Sequence, residues 1–352
     1  MQLKEFNSKR FYKSLLSITL VVLFFFLFYL FLDIFILLAI STLIALIFNP
    51  VVTYLEKIGV RRTIGTLGVF IFVGSFLAIS LSLLLPKLIN QFEVIYENLS
   101  QEKISAVVSQ IQGFIRHYVP FTKNIDINKR ILEFLTNLVG SLINNVTDIL
   151  SGLFSIIAIL IIVPFMTFFI LKDTKRIHKG IVNLLPNRYF EMSYHVISKI
   201  GEQLGRFVRG WILDATFVGI MVAVTLSLLG VKNSVSIGFV AGIGHLIPYF
   251  GPLIGGVPAI IISIIQFGDF TMLPAISLTF LLIYTFDNGF VQPNIFSKST
   301  DMHPLIIIVL IIIGNQLLGV VGMLLAVPVA TVIKTAAFEI YHGYKNFKIT
   351  RL

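Results

Sequence analysis

The stretch from Val235 to Phe267, VSIGFVAGIGHLIPYFGPLIGGVPAIIISIIQF, decides how this chain folds. About 20 apolar residues cross a bilayer, and this run is longer than that. Its middle is broken by Gly242, Gly244, Pro248, Gly251, Pro252, Gly255 and Gly256, residue types that interrupt an α-helix. The N–H and C=O groups freed there cannot face lipid, where each unsatisfied group costs several kcal/mol, so they face protein or a water-filled cavity. A helix folded back on itself as a re-entrant hairpin satisfies that condition. A second stretch, Leu305 to Val332, is interrupted in the same way by Gly314, Asn315, Gln316, Gly319, Gly322 and Pro328. The alternative for both is a full span kinked at Gly and Pro and packed tightly through small residues.

The composition agrees with a membrane location. Hydrophobic residues make up 57% of the 352 positions and charged residues 12%, against about 25% charged in soluble domains; the mean hydropathy is +0.95. The 33 Phe residues are more apolar bulk than so few charges can cover. The fold class is therefore an all-α, polytopic membrane protein, which excludes a soluble enzyme, a nucleic-acid binder or a secreted disulfide scaffold as a description of the whole chain. The net charge of +10 is read as Lys and Arg in cytoplasmic loops. The absence of Cys excludes disulfides, thiolate metal ligands and thiol catalysis. No cofactor and no metal site is expected.

Outward from the broken stretches, residues 1–86 predict a scaffold of three spans. The apolar run from Leu15 to Phe48 forms two short helices turning at Asp33, with Lys4, Lys9, Arg10 and Lys13 at one end and Lys57, Arg61 and Arg62 at the other, so both ends are cytoplasmic. The third span, Ile64 to Leu85, ends at Pro86. Residues 87–145 have the periodicity of amphipathic helices outside the membrane. Residues 146–171 hold a fourth span containing Pro164, and residues 172–210 a basic cytoplasmic segment that approaches the membrane at Trp211. Residues 211–334 form the transport unit and 335–352 a cytoplasmic tail. Within that unit, an outward span precedes one hairpin and an inward span (Met272 to Phe286) precedes the other. The two halves then have opposite topology, and paired broken segments of that kind point to a transporter's binding site. Both termini are cytoplasmic.

Ionisable groups inside apolar spans are functional or paired by default. Asp287, beside Asn288 and Gln292, is a candidate to bind Na⁺ or exchange a proton; otherwise it is an interface residue solvated by headgroups. His245 in the first broken stretch can relay a proton or serve as a hydrogen-bonded structural residue. Asp214 is read first as an acid stabilising a helix N-terminus, with Arg206 and Arg209 near enough to pair with it. Asp33 is a loop acid. The amides Asn288, Gln292, Asn315 and Gln316 suit a neutral polar solute, or else satisfy the broken backbone. Pro248, Gly251, Pro252, Gly319, Gly322 and Pro328 shape the hairpins. No G-x-x-x-x-G-K-[ST] loop, HExxH, GxSxG or Cys/His cluster is present, so the sequence gives no sign of nucleotide hydrolysis or other catalysis.

An ordered set of stretches resembles the AI-2E family of bacterial transporters: Asn49-Pro50, Leu55-Glu56-Lys57, Gly59-Val60-Arg61-Arg62 and Leu171-Lys172-Asp173, then Ile247-Pro248-Tyr249-Phe250-Gly251-Pro252, Gln292-Pro293, His303-Pro304-Leu305 and the run from Gly319 to Pro328. The resemblance implies an inner-membrane protein of about seven or eight membrane segments, forming homo-oligomers. It also implies export or exchange of small solutes, autoinducer-2 being the founding assignment; the candidate residues above read as serving a small polar solute driven by H⁺ or Na⁺. His245, where many members carry a small or amide residue, and Asn294, where a basic residue is usual, depart from the family pattern. The expected function is thus a secondary transporter, whose partners are lipid, solute and ion. The alternatives are a Na⁺(Li⁺)/H⁺ antiporter with no organic solute, and a non-transporting membrane scaffold that recruits partners through residues 87–145 and 175–205.

Overall fold

The computed structural model describes residues 29–98, 153–183, 190–296 and 302–346, with a few positions before 29. Every regular element is helical: α1 (Leu32–Lys57), α2 (Arg62–Asn98), α3 (Leu153–Lys172), α4 (Thr174–Asn183), α5 (Phe190–Leu228), α6 (Ser234–His245), α7 (Gly251–Phe267), α8 (Leu273–Phe286), a π-helical turn (Asp287–Val291), α9 (Gln292–Phe296) and α10 (Pro304–Asn346). The described residues contain no strand. Five helical stretches are long and apolar enough to cross a membrane by length and composition: Leu32–Lys57, Arg62–Ser80, Phe190–Leu228, Leu273–Phe296 and Pro304–His342. Large apolar side chains such as Leu228, Phe72 and Leu317 stand 81%, 74% and 73% exposed, a surface that water does not tolerate and lipid does. The protein is an all-α, multi-pass membrane protein.

Helices α1, α2 and α3 pack through the buried residues Ala45, Val52, Val69 and Leu171. At one end, Arg62 fastens them together: its guanidinium donates to the Leu171 carbonyl at 2.7 Å, to Glu56 at 2.9 Å and to Asn49 at 2.7 Å. Helix α2 does not stop at Pro86 as the sequence predicts but continues to Asn98 with Pro86 inside it, because a proline removes one helical hydrogen bond without removing the rest. The break before α1 falls at Phe31, and Asp33 lies in the first turn of that helix. The expected external helices fall mostly on 99–152, outside the described residues.

The basic segment and the span after it form one continuous helix. α5 runs 39 residues from Phe190 to Leu228 without a boundary at Trp211. Leu204, Phe207, Val208, Trp211, Ala215, Val218, Val222 and Leu226 are its buried stripe, spaced three and four apart as a helical face demands.

Both interrupted stretches fold back. α6 has 12 residues and α7 has 17, giving lengths of about 18 and 26 Å at 1.5 Å per residue, short of the ~30 Å hydrocarbon core. A Cβ on Gly244 would lie 2.8 Å from Ile254, and one on Gly255 would strike Ala241, so the two arms touch beside the turn. At the base, the Gln266 amide donates to the Gly230 carbonyl and accepts from Lys232 N–H, both at 2.7 Å. The two ends of the hairpin are therefore side by side. In α10 the chain reverses at Gly319, whose φ of 59° and ψ of −142° suit only glycine. A Cβ on Gly314 would collide with the Gly322 main chain, and the reverse. In an unbroken helix such a pair would sit about 12 Å apart. Pro328, assigned above to hairpin shaping, lies well inside the second arm and not at the turn.

Candidate functional site

Three ionisable residues from three different elements meet at the tip of the first hairpin. Asp214 comes from mid-α5, His245 is the last residue of α6 and Asp287 opens the π-helical turn. Nε2 of His245 lies 3.3 Å from Asp214 Oδ2 and 3.2 Å from Asp287 Oδ2. The residues are 3%, 4% and 0% exposed, respectively. The helical rise puts them at matching depth, each about 17–21 Å along its helix from the end where Leu228, Ser234 and Leu273 lie.

Glycine makes the meeting possible. α6 lies against α5 backbone to backbone: a Cβ on Gly238 would be 2.5 Å from the Gly219 carbonyl oxygen, and one on Gly242 2.9 Å from that of Ala215. With Gly242 touching Ala215, His245 one turn later reaches Asp214, the neighbour of Ala215. On the other side of the ring, a Cβ on Gly251 would be 2.6 Å from Nδ1, so only glycine leaves room for the imidazole. Asp287 is oriented by Gln292, whose Nε2 donates to Oδ2 at 2.8 Å. The i→i+5 closure of the π turn, seen in the Gln292 N–H to Asp287 carbonyl bond, brings that side chain over the carboxylate; π turns of this kind recur at functional sites.

The cluster is incompletely satisfied. Asp214 Oδ1, Asp287 Oδ1 and His245 Nδ1 have no hydrogen-bond partner among the described residues, a costly state for buried polar atoms. Neither Arg206 nor Arg209 neutralises Asp214, which corrects the expected ion pair: Arg206 binds Glu202 at 2.8 Å, and Arg209 donates to the Leu46 carbonyl at 3.1 Å. Asp214 is not a helix N-terminal acid either, since α5 starts at Phe190. Beside His245 and Asp287 lies a cavity of about 10 Å³, lined also by Val218, Val222, Gly251, Pro252, Phe280, Ile283 and Tyr284. That is room for one water molecule.

The other anticipated residues divide. Asp287, Gln292 and His245 come together, and Gly251 and Pro252 open α7 next to them. Asn288 turns back to the Tyr284 carbonyl at 2.8 Å. Asn315 and Gln316 are exposed near the Gly319 reversal and are not among the triad's partners. Two features went unanticipated. One is the joining of Asp214 to His245 and Asp287, which the unbroken periodicity of α5 through Trp211 signals. The other is the left-handed Tyr249 in the hairpin turn, at φ 72°, for which the sequence carries no signal. No metal site is expected from ligand spacing, yet the fold gathers three metal-ligating side chains whose donor atoms lie within 4.8 Å of one another.

Comparison with known proteins agrees with this architecture. The family described as "AI-2E family transporter" matches residues 18–342. "Putative transport protein YueF" of Bacillus subtilis (strain 168) is 29% identical over 326 residues, covering 89% of this chain and 86% of that protein. "Putative transport protein YrrI" of the same organism is 26% identical over 306 residues, 86% and 85% of the two chains. "Putative permease PerM" of Escherichia coli (strain K12) is 27% identical over 202 residues, 57% and 56% of the two. With a family match that spans nearly its whole length, the chain belongs to the AI-2E family of transporters.

Proposed function

We propose that this protein is a secondary transporter of the bacterial inner membrane, driven by an ion gradient. The buried Asp214–His245–Asp287 cluster is the place where the driving ion, a proton or Na⁺, is held. One observation carries the reading: two carboxylates and an imidazole, all but sealed from solvent, share one contact point between a hairpin and two long helices. Buried charge of this kind inside a membrane bundle is expensive and marks ion pathways and proton relays. A deprotonated triad would carry two negative charges, and the partners seen for it among the described residues are His245 and Gln292, so it needs a cation or protons to remain buried. The transported solute is small and polar, autoinducer-2 being one such molecule. Both termini face the cytoplasm, and the protein works as a homo-oligomer.

The size of the cavity favours a second form of this reading. Room for about one water accommodates an ion but no organic solute at the triad, as in a Na⁺(Li⁺)/H⁺ antiporter. Everted vesicles with an imposed pH gradient, followed by a pH-sensitive dye, distinguish the forms. Gradient dissipation on adding NaCl or LiCl supports exchange, and dissipation only on adding autoinducer-2 supports solute coupling. In either case Asp287→Asn abolishes the response at an unchanged level of membrane insertion. An Asp287→Asn protein that dissipates the gradient as fast as the native protein rejects the role of the triad.

A further inference from the structure

The geometry points to the Asp214–His245–Asp287 triad as a binding site for a single divalent first-row transition-metal ion, of the Mn²⁺, Co²⁺ or Zn²⁺ kind. This rests on the proposed role of the triad as the ion-handling centre and adds a divalent metal to the proton or Na⁺ held there. Three observations lead there. The first is distance. Nε2 lies 3.2 and 3.3 Å from one oxygen of each carboxylate. A charge-assisted N–H···O bond is shorter, about 2.7–2.9 Å, and a single N–H shared between both oxygens makes only a weaker, three-centre bond. Ligand atoms on one metal, with bonds of about 2.1 Å, stand about 3.0 Å apart at a right angle and about 3.4 Å apart at the tetrahedral angle. The two observed separations fall inside that interval.

The second observation is the set of unsatisfied atoms. Asp214 Oδ1 and Asp287 Oδ1 are fully buried with no partner among the described residues, and each belongs to a side chain more than nine-tenths buried. A metal bound to Nε2 and to both oxygens of each carboxylate gives the two Oδ1 atoms the partner they lack. Asp287 already has the outer support such ligands need, from the Gln292 amide at 2.8 Å. The third is room and charge. The adjoining cavity of about 10 Å³, which touches His245 and Asp287, leaves an open position beside the three protein ligands. Two carboxylates and a neutral imidazole balance a divalent ion to zero net charge, which suits a site walled by Val218, Val222, Phe280 and Ile283. One nitrogen and two carboxylate donors, without sulfur, select borderline and hard divalent ions over Cu(I).

The test uses the full chain, purified in detergent with any affinity tag removed and stripped of metal with a chelator. It is then equilibrated separately with Mn²⁺, Co²⁺ and Zn²⁺. The expected result is about one ion per chain by elemental analysis, with Co²⁺ giving the visible d–d absorption of a low-coordinate nitrogen–oxygen site. Asp287→Asn, Asp214→Asn and His245→Gln each weaken binding at least tenfold, whereas Glu202→Gln on the surface of α5 leaves it unchanged. The Co²⁺ spectrum reads the native protein directly, so it stands even where a variant misfolds. A native protein that holds no ion, or three variants that hold as much as it does, overturns the proposal. Vesicle flux that depends on Asp287 in a protein shown to bind no metal overturns this inference while leaving the ion-gradient reading in place; loss of both removes the two together.

Discussion

Substituting Gly238 by Ala tests whether the seam between α5 and α6 positions the triad. A Cβ at this position would lie 2.5 Å from the Gly219 carbonyl oxygen, 2.6 Å from Ala223 Cβ and 2.7 Å from Ala223 N. None of these is the free end of a flexible side chain. Ordinary contact starts near 3.4 Å, so α6 must retreat by about 0.9 Å, an overpacking that costs about 1–3 kcal/mol. His245 rides at the end of the same helix. A shift of that size lengthens its 3.3 Å contact with Asp214 to about 4 Å, beyond hydrogen-bond reach. Misplacement by about 1 Å in a preorganised site costs on the order of 100-fold, and that is the expected fall in ion-coupled flux in everted vesicles. Gly242→Ala and Gly219→Ala, with closest approaches of 2.9 and 3.0 Å, should lose progressively less. Gly68→Ala in α2 has nothing within 4 Å and should lose nothing. If Gly238→Ala fails to insert, Gly219→Ala carries the test. Flux through Gly238→Ala equal to that through Gly68→Ala, at equal insertion, refutes the positioning role of the seam.

Other consequences are independent of that series. Gly251→Ala places a Cβ 2.6 Å from His245 Nδ1, turning the ring off its carboxylates; coupled flux should vanish while the amount of protein in the membrane stays constant. Arg62→Ala removes three hydrogen bonds from a mostly buried guanidinium and should cost about 3 kcal/mol, visible as a lower melting temperature in detergent. Lys175→Ala removes only an ion pair of a 76% exposed side chain with Glu56, so it should cost less than about 1 kcal/mol and barely move the same melt. Gly319→Ala forces a Cβ into a conformation that suits only glycine, at a cost of about 1–3 kcal/mol, and should lower the melt between those two extremes.

Hydropathy and helix breakers made the membrane class and both reversals legible, because the cost of bare backbone in lipid leaves few ways to arrange Gly242–Gly256 or Gly314–Gly322. Element ends were less legible. Pro86 reads as a stop, yet a long helix absorbs the loss of one bond; Trp211 reads as an entry point, yet α5 passes through it because its apolar stripe never breaks. The boundary read at Trp211 hides the site. With the helix taken to begin near Trp211, Asp214 looks like an acid at a helix N-terminus. With its true start at Phe190, Asp214 is a buried carboxylate far from any end, and a pairing partner for His245 becomes a necessity. The contact itself spans 31 residues and depends on the closeness of two helices at Gly219, Gly238 and Gly242. Pairwise fit of that kind leaves no periodic trace.

The folding back of both broken stretches has a direct consequence for sidedness. A hairpin returns its two ends to one face of the membrane, whereas a kinked span leaves them on opposite faces. For the first stretch the base is already tied, since Gln266 bonds to both Gly230 and Lys232. For the second, Met302, Ile307 and Val332 share one packed cluster, which again draws the two arms together. The chain has no native Cys, so single cysteines at Lys232, Asp269, His303 and His342 can be labelled one at a time by a membrane-impermeant maleimide in oriented vesicles. Positions 232 and 269 should react from the outside and positions 303 and 342 from the cytoplasm, because α8 and the turn after it separate the two pairs. Cysteines across 240–256 and 312–324 should then report each tip from the side its own base faces. Labelling of 232 and 269 from opposite sides would mean that α6 and α7 together make one crossing. The triad would then sit on a through-span, with no hairpin tip to carry His245 toward or away from Asp214.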